Sequence, residues 1–191
     1  MHHLAPHQIN YRANIEALLN LNVQYALATN AVGSLRSEIL SGSMIVPDDL
    51  IDFTRNRPLT YFENNQWRHV DFTNPYSEEC RNAILLASKS LGYEAASRGV
   101  YLCTDGPRFE TPAEIRLFAS WGADVVGMTG STEAVMAREA GIEYAALCIV
   151  TNPGAGLSPE PVSHDQVSAQ MAAKMPVLQE ILLHAARLLV K

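Results

Sequence analysis

The sequence predicts an α/β fold, with a central mixed or parallel sheet flanked by helices. Helical patterns and apolar strand-like runs alternate through most of the 191 residues, which is typical of that class. Polar residues follow several of the strand-like runs, as they do at the rim of an open α/β sheet. The sequence contains no internal repeat and no low-complexity linker, so we expect one domain over residues 1–191.

The first half of the chain divides into alternating elements by its hydrophobic spacing. In order, these are a helix over Gln8–Leu21, a strand over Val23–Ala28, short strands over Ser43–Val46 and Leu50–Phe53, and a helix from Ser77 to Leu91. Between the last two lies an excursion from Thr54 to Pro75, rich in Arg, Asn, Pro and aromatic residues. Loops of this length are usually functional or cover a site.

The second half alternates in the same way. Its predicted elements are a strand over Arg98–Thr104, a helix over Thr111–Trp121, a strand over Asp124–Met128, a helix over Thr132–Ala140, a strand over Tyr144–Val150, and a last helix from Ser163 to about Leu189 with a kink at Pro176. Thr111 and Glu114 form a capping-box pattern with Pro112 at the first helical position. That pattern sets the start of the helix by itself.

Polar pairs at three predicted strand ends indicate a binding site. Thr29-Asn30, Met128-Thr129 and Thr151-Asn152 would meet outside the carboxyl ends of the strands, and Glu110 lies between a strand and a helix. The tetrad that starts at Thr129 opens a helix whose free N–H groups could bind an anion. The alternative is a set of well-capped helices and ordinary Asn turns without chemistry.

Charge and cysteine content narrow the class of function. The formal net charge of −6 argues against general binding to nucleic acid or anionic membranes, so local backbone and hydroxyl donors must hold any anionic substrate. Cys80, Cys103 and Cys148 are widely spaced and predict reduced core thiols in a cytosolic protein, without a zinc site. The sequence shows neither a signal peptide nor an apolar run long enough to span a membrane.

Five motifs, in order along nearly the whole chain, carry a family resemblance. They are QINYRAN at Gln8–Asn14, TNAVGSL at Thr29–Leu35, GPRFETPAE at Gly106–Glu114, WGADVVGMT at Trp121–Thr129 and VTNPGAG at Val150–Gly156. With them the chain resembles the trimeric purine nucleoside phosphorylases, in the branch that includes methylthioadenosine and methylthioinosine phosphorylases. The resemblance implies a three-layer fold and a cytoplasmic homotrimer in purine salvage. It also implies phosphate-dependent cleavage of nucleosides to base and ribose 1-phosphate, with no metal or organic cofactor.

The resemblance also assigns roles to seven residues. It implies that phosphate is held by Asn30, the Ala31 backbone N–H and the Thr129 hydroxyl. It implies that Met128 packs on the ribose and that His164 hydrogen-bonds the 5′-hydroxyl. Glu110 and Asn152 would bind the base, with Asn152 as the catalytic residue that hydrogen-bonds N7 and O6 in the transition state.

The identities of Glu110 and Asn152 predict which purine is bound. An ionised Glu only accepts hydrogen bonds, and a 6-oxopurine has an N1–H donor that a 6-aminopurine lacks. Methylthioadenosine phosphorylases of the family have Ser and Asp at these positions, so this chain departs from them towards hypoxanthine or guanine. His164 favours inosine or guanosine. If it is only an exposed residue of a capped helix, S-methyl-5′-thioinosine becomes the alternative substrate.

One departure from the family pattern is large. Family members begin with a strand and a Gly-rich phosphate loop, followed by an Arg-His-Gly element, and neither is in this sequence. We therefore expect N-terminal strands to be missing and sheet edges to be left unpaired. The second alternative function is thus a nucleoside-binding fragment with impaired catalysis.

Overall fold

The structure is a computed structural model that describes residues 4–62 and 67–190. Its six strands are β1 (Tyr25–Ser34), β2 (Met44–Ile45), β3 (Asp49–Asp52), β4 (Val100–Cys103), β5 (Val125–Gly127) and β6 (Glu143–Pro153). Its five α-helices are α1 (Tyr11–Asn20), α2 (Glu78–Ser90), α3 (Pro112–Ser120), α4 (Gly130–Glu139) and α5 (His164–Leu189). A short 3₁₀ helix, Pro6–Gln8, precedes α1, and Pro176 lies within the uninterrupted α5.

The six strands form one mixed sheet in the order β2-β6-β1-β5-β4-β3. β3, β4 and β5 run parallel to each other, and β1 runs parallel to β6. The two groups join where β1 meets β5 in antiparallel pairing, Gly33 opposite Val126 and Ser34 opposite Val125. The predicted α/β fold with a mixed sheet is therefore confirmed.

Alternating residues of β6 face different helices, which gives the molecule three layers. Four residues of β6 belong to the core shared with α1 and α4: Tyr144, Ala146, Cys148 and Val150. The residues between them, Ala145, Leu147 and Ile149, pack in the core shared with α2 and α5. Because side chains of a strand alternate between faces, a continuous apolar run is what a strand buried on both sides requires.

The two long strands extend further than the sequence predicts. β1 continues through Thr29-Asn30 to Ser34, and β6 continues through Thr151-Asn152 to Pro153. Both expected strand ends are wrong because β1 and β6 stay paired over their whole length, with a register shift between Val32 and Gly33. An irregularity of this kind accommodates Gly and Asn, which otherwise indicate a turn.

β1 has one incomplete edge within the described residues. It pairs with β6 along its length but with β5 only through Gly33 and Ser34, so residues 25–32 have ladder partners on one side. Residues 25–29 are correspondingly only half-buried.

The excursion between β3 and α2 contains no helix or strand in its described parts, 54–62 and 67–75. It nevertheless folds onto the body of the protein. The Thr60 hydroxyl donates to the Glu139 carboxylate at 2.9 Å, and the Tyr61 N–H donates to the same carboxylate at 2.6 Å. Residues 63–66 of the predicted excursion lie outside the described residues.

Candidate active site

Asn30 and Thr129 meet where β1 crosses the carboxyl end of β5. Antiparallel pairing of these strands brings Asn30 opposite Thr129, whose hydroxyl donates to Asn30 Oδ1 at 3.5 Å. Asn30 is 5% exposed, and its buried Nδ2 has no hydrogen-bond partner among the described residues. Ala31 follows in the strand and is half-buried. The three residues predicted to hold phosphate are therefore grouped at one corner.

The sequence predicts free N–H groups at the start of α4 that could bind an anion. In the structure, the N–H groups at this position are not free. The N–H groups of Thr129 and Gly130 both donate to the hydroxyl of Tyr101, at 3.3 and 3.1 Å. Tyr101 is fully buried, and burial raises the pKa of its hydroxyl well above the usual value. The prediction is wrong for these two donors because a distant strand supplies their acceptor. The Thr129 side chain itself makes no capping bond and remains available.

Met128 and Gly106 pack against each other beside this corner. A methyl group added to Gly106 would lie 2.5 Å from Met128 Sδ, and the φ of Gly106 is +63°, in the left-handed region. Only glycine meets both conditions without strain. The loop after β4 therefore packs against the Met128 side chain. Met128 is half-buried and is predicted to contact ribose.

Glu110 lies in the loop between β4 and α3, as predicted. The Thr104 hydroxyl donates to Glu110 Oε1 at 2.8 Å, and the Thr104 N–H is itself bonded to the Gly127 carbonyl of β5. Burial raises the pKa of the Glu110 carboxyl above its ordinary value, and the bond from Thr104 opposes that rise. When ionised, the carboxylate is acceptor-only and can take a further hydrogen bond from a ligand.

Asn152 lies in β6 beside β1 and β5. A methyl group on Gly33 would be 3.3 Å from Asn152 Nδ2 and 3.5 Å from Val126 Cγ1, so Asn152 lies over the point where the three strands meet. The Thr151 hydroxyl donates to Asn152 Oδ1 at 2.9 Å, and Nδ2 donates to the Pro153 carbonyl at 2.8 Å. The amide is therefore oriented by its two neighbours in sequence.

A cleft of about 280 Å³ opens beside Glu110. Among the residues that line it are Phe53, Arg55, Thr104, Gly106 and Arg108. The size approaches that of a small-molecule site. Of the residues predicted from sequence, Glu110 is the one in its lining.

A larger cleft, about 450 Å³, lies at the other end of β4 and β5, near Asp48 and Asp124. Two of the carboxylates that line it already accept from backbone N–H groups, Asp48 from Gly99 at 2.9 Å and Asp124 from Val100 at 2.8 Å. Asp124 is also paired with Arg36. Because these acceptors already have partners, we place the functional site at the smaller cleft.

Arg57 is a buried charged residue that the sequence analysis missed. Its side chain is 2% exposed, although it lies in the polar excursion, where arginine normally indicates a surface. Its guanidinium donates to the carbonyls of Met128 and Asp105, at 2.6 and 3.1 Å. No periodicity marks it, because its partners are 46 to 75 residues away in sequence.

His164 is not part of the cluster formed by the other predicted residues. It lies in the first turn of α5 with an exposed side chain, and its ring Nε2 is 3.4 Å from Ser168 Oγ on the same helix. Its role at the 5′ position stays a prediction. Ser163 caps this helix by accepting from the Gln166 N–H.

Searches for two other features gave negative results within residues 4–62 and 67–190. No group of three or more His, Cys, Asp or Glu side chains there could hold a metal ion. No helix in that part is both long and apolar enough to cross a bilayer. The cysteines Cys80, Cys103 and Cys148 are free and buried.

Comparison with known proteins identifies the family. Residues 1–187 match the family model described as the phosphorylase superfamily. The chain belongs to the phosphorylase superfamily. The resemblance inferred from the five sequence motifs is thereby confirmed.

Relatives within this superfamily carry two kinds of name. The 6-oxopurine nucleoside phosphorylase of Pyrococcus furiosus is 44% identical over the whole chain, which covers 74% of that protein. A protein of Methanothermobacter thermautotrophicus described as a "probable S-methyl-5′-thioinosine phosphorylase" is 49% identical over 97% of the chain and 64% of its own length.

A solved structure gives the same fold. Methylthioadenosine phosphorylase from Schistosoma mansoni, solved with adenine, superimposes with a TM-score of 0.94 at 30% identity. The match covers 98% of this chain and 73% of that one. The predicted nucleoside phosphorylase fold is therefore confirmed.

Proposed function

We propose that this phosphorylase cleaves 6-oxopurine nucleosides, inosine or guanosine, with inorganic phosphate to give the free base and ribose 1-phosphate. The observation that carries the proposal is the half-buried Glu110 carboxylate, which accepts from the Thr104 hydroxyl in the lining of the smaller cleft. The names of relatives at 44% identity support the same substrate class.

The chemistry of the reaction matches the residues present. Cleavage of the glycosidic bond places positive character on the ribose and negative charge on the departing purine. The enzyme must hold phosphate beneath C1′ and stabilise the charge on the base. Asn30, Ala31 and Thr129 would supply neutral donors for phosphate, and Asn152 would donate to N7 or O6. This needs no metal or organic cofactor, since phosphate is the nucleophile.

The pair Glu110 and Asn152 complements a 6-oxopurine. Ionised Glu110 accepts from N1–H, and the amide of Asn152 donates to O6 after its Nδ2 leaves the Pro153 carbonyl. Adenine has no N1–H and carries a donor at position 6, so both contacts would be mismatched. Each buried unpaired group costs about 1–3 kcal/mol, which makes the pair selective.

Phosphate dependence tests whether this chain is an enzyme or only a nucleoside-binding fragment. We expect inosine turnover that rises with phosphate concentration and stops without it, with ribose 1-phosphate as the product. Coupled oxidation of the released hypoxanthine measures the rate. Inosine binding by calorimetry without any phosphate-dependent turnover would contradict the proposal and favour the binding fragment.

S-methyl-5′-thioinosine phosphorolysis is the second candidate, because the 49% identical relative carries that name and His164 is exposed. If His164 binds the 5′-hydroxyl, His164→Val should lower kcat/KM for inosine and spare the methylthio substrate. One such hydrogen bond is worth about 0.5–1.5 kcal/mol. Equal changes on both substrates would show that His164 does not read this position, and would favour the methylthio candidate.

We also propose that the protein works as a homotrimer in the cytoplasm. The three free buried cysteines support a reducing compartment. The segment Leu4–Gln8 and the aromatic pair Tyr61-Phe62 are the proposed contributors near the 5′ side of a neighbouring site. Leu4 is 57% exposed, which suits a contact surface.

A further inference from the structure

Arg57 occupies a position that is costly for a cation. Its side chain is 2% exposed, and it forms an ion pair with Asp105, with Nε 3.5 Å from Oδ1. Its guanidinium carbon lies 5.1 Å from the centroid of the Tyr11 ring. Burying a charge is unfavourable unless the geometry of its partners is good, so the identity of those partners matters.

Two of the hydrogen bonds that Arg57 makes go to carbonyls at the walls of the proposed site. Nη2 donates to the Met128 carbonyl at 2.6 Å and to the Asp105 carbonyl at 3.1 Å. Nη1 donates to the Tyr11 hydroxyl and contacts Thr132 Oγ1 of α4 at 3.5 Å. One rigid group therefore joins the end of β5, the start of α4 and the loop after β4.

The two carbonyls that accept from Nη2 belong to residues of the proposed site or of the loop that carries them. The Met128 carbonyl belongs to the peptide that joins Met128 to Thr129. Asp105 begins the loop that carries Gly106, which packs on Met128, and then Glu110. The guanidinium thus joins the peptide after Met128 to the loop that carries Glu110.

We propose that Arg57 is a positioning residue for phosphorolysis, which acts by fixing Met128 and the 105–110 loop relative to each other. The inference rests on the proposed function, because the roles of Met128 and Glu110 belong to it. Lysine cannot replace arginine here. A planar fork reaches two carbonyls and two hydroxyls at once, whereas an ammonium is a point donor on a flexible stem.

Arg81 provides a matched control. It also donates to two backbone carbonyls, those of Pro47 (2.9 Å) and Ser97, but it does so from α2, away from the smaller cleft. Removing either arginine leaves two carbonyls without their donors. If Arg57 only stabilises the fold, Arg57→Met and Arg81→Met should have the same kind of effect.

The experiment compares Arg57→Lys, Arg57→Met, Arg81→Lys and Arg81→Met in two assays. The first is kcat/KM for inosine with saturating phosphate, per folded protein. The second is the ¹³C-methyl NMR signal of Met128, assigned by its loss in Met128→Leu, which needs no activity. We expect Arg57→Met to lower kcat/KM about 10²-fold, the scale of a 1 Å misplacement, and to shift or broaden the Met128 signal. Arg57→Lys should show the same changes to a smaller degree, and the Arg81 variants neither.

Two results would overturn the proposal. An unchanged Met128 signal in folded Arg57→Met would show that Arg57 does not position this residue. Loss of cooperative unfolding in both Arg57 variants would show that Arg57 serves only to stabilise the fold. If the wild-type protein lacks turnover, the proposed function fails. The Met128 signal still shows whether Arg57 fixes the position of Met128.

Discussion

At the residue scale, the Thr104–Glu110 hydrogen bond decides how the base-binding carboxylate titrates. Burial favours the neutral acid and raises its pKa, whereas the Thr104 hydroxyl stabilises the charged form. The base contact needs the carboxylate, because a protonated Glu110 could donate instead of accept. The sequence predicts that Glu110 belongs to the site but does not predict the role of Thr104, because a Thr that follows a strand is common in structures for other reasons.

Replacing Thr104 should therefore change the pH dependence of the reaction. In Thr104→Val the pKa of Glu110 rises further, so the acid limb of kcat/KM for inosine should move to higher pH. Thr104→Ser keeps the hydroxyl and should restore the wild-type limb. A pH–rate profile of the three proteins measures this. A uniform loss at every pH, with no shift of the limb, would contradict the role given to the Thr104 hydroxyl.

Arg57 and Tyr101 show why some residues of the site could not be predicted. Each acts through partners distant in sequence: Arg57 holds carbonyls of two other loops, and Tyr101 caps α4 from β4. Local sequence patterns report only on neighbours within a few residues. They therefore predict that an arginine in a polar loop is exposed to solvent and that a tyrosine in a strand packs in the core. Asn30, Thr129, Asn152 and Glu110 were predictable because motifs carry them.

At the element scale, the N-cap residues of α3 and α4 behave differently. Thr111 accepts from the Glu114 N–H at 3.2 Å, and Glu114 accepts from the Thr111 N–H at 2.8 Å, so the predicted capping box is confirmed. The pairing with Arg108 and these bonds lower the pKa of Glu114 to about 2. Thr129 caps nothing with its side chain, because Tyr101 satisfies the helix.

The two threonines should therefore separate stability from phosphate binding. Thr111→Ala should lower the free energy of unfolding by about 1 kcal/mol through the lost cap, with the KM for phosphate unchanged. Thr129→Ala should leave stability nearly unchanged and raise the KM for phosphate. Urea unfolding and phosphate titrations measure the two effects. The assignment of Thr129 would be wrong if its variant lost stability and kept its phosphate affinity.

The strand ends were the weakest part of the prediction. Thr29-Asn30 and Thr151-Asn152 consist of turn-favouring residues, yet both pairs lie inside long strands held by the β1–β6 ladder. Propensity is local, whereas the pairing that overrides it joins residues about 120 apart. The starts of α2, α3 and α5 were predicted more closely, because Ser77, Thr111 and Ser163 cap these helices.

At the scale of the whole molecule, the alternation of elements was sufficient to predict the α/β class and the mixed sheet. It could not predict that β1 meets β5 in antiparallel pairing, although that junction brings Asn30 to Thr129, while the β1–β6 pairing places Asn152 opposite Gly33. The site is therefore a property of topology as much as of residues. Within this site, we propose that the Glu110 and Asn152 pair selects 6-oxopurines over adenine.

The ratio of kcat/KM for inosine to that for adenosine tests this claim most directly. We expect wild-type protein to favour inosine by more than about tenfold, since a single mismatched polar group costs about 1–3 kcal/mol. Asn152→Asp should lower the ratio by removing the donor to O6, whereas Asn74→Asp, at an exposed position, should not. A wild-type ratio at or below one, or an unchanged ratio in Asn152→Asp, would contradict the account.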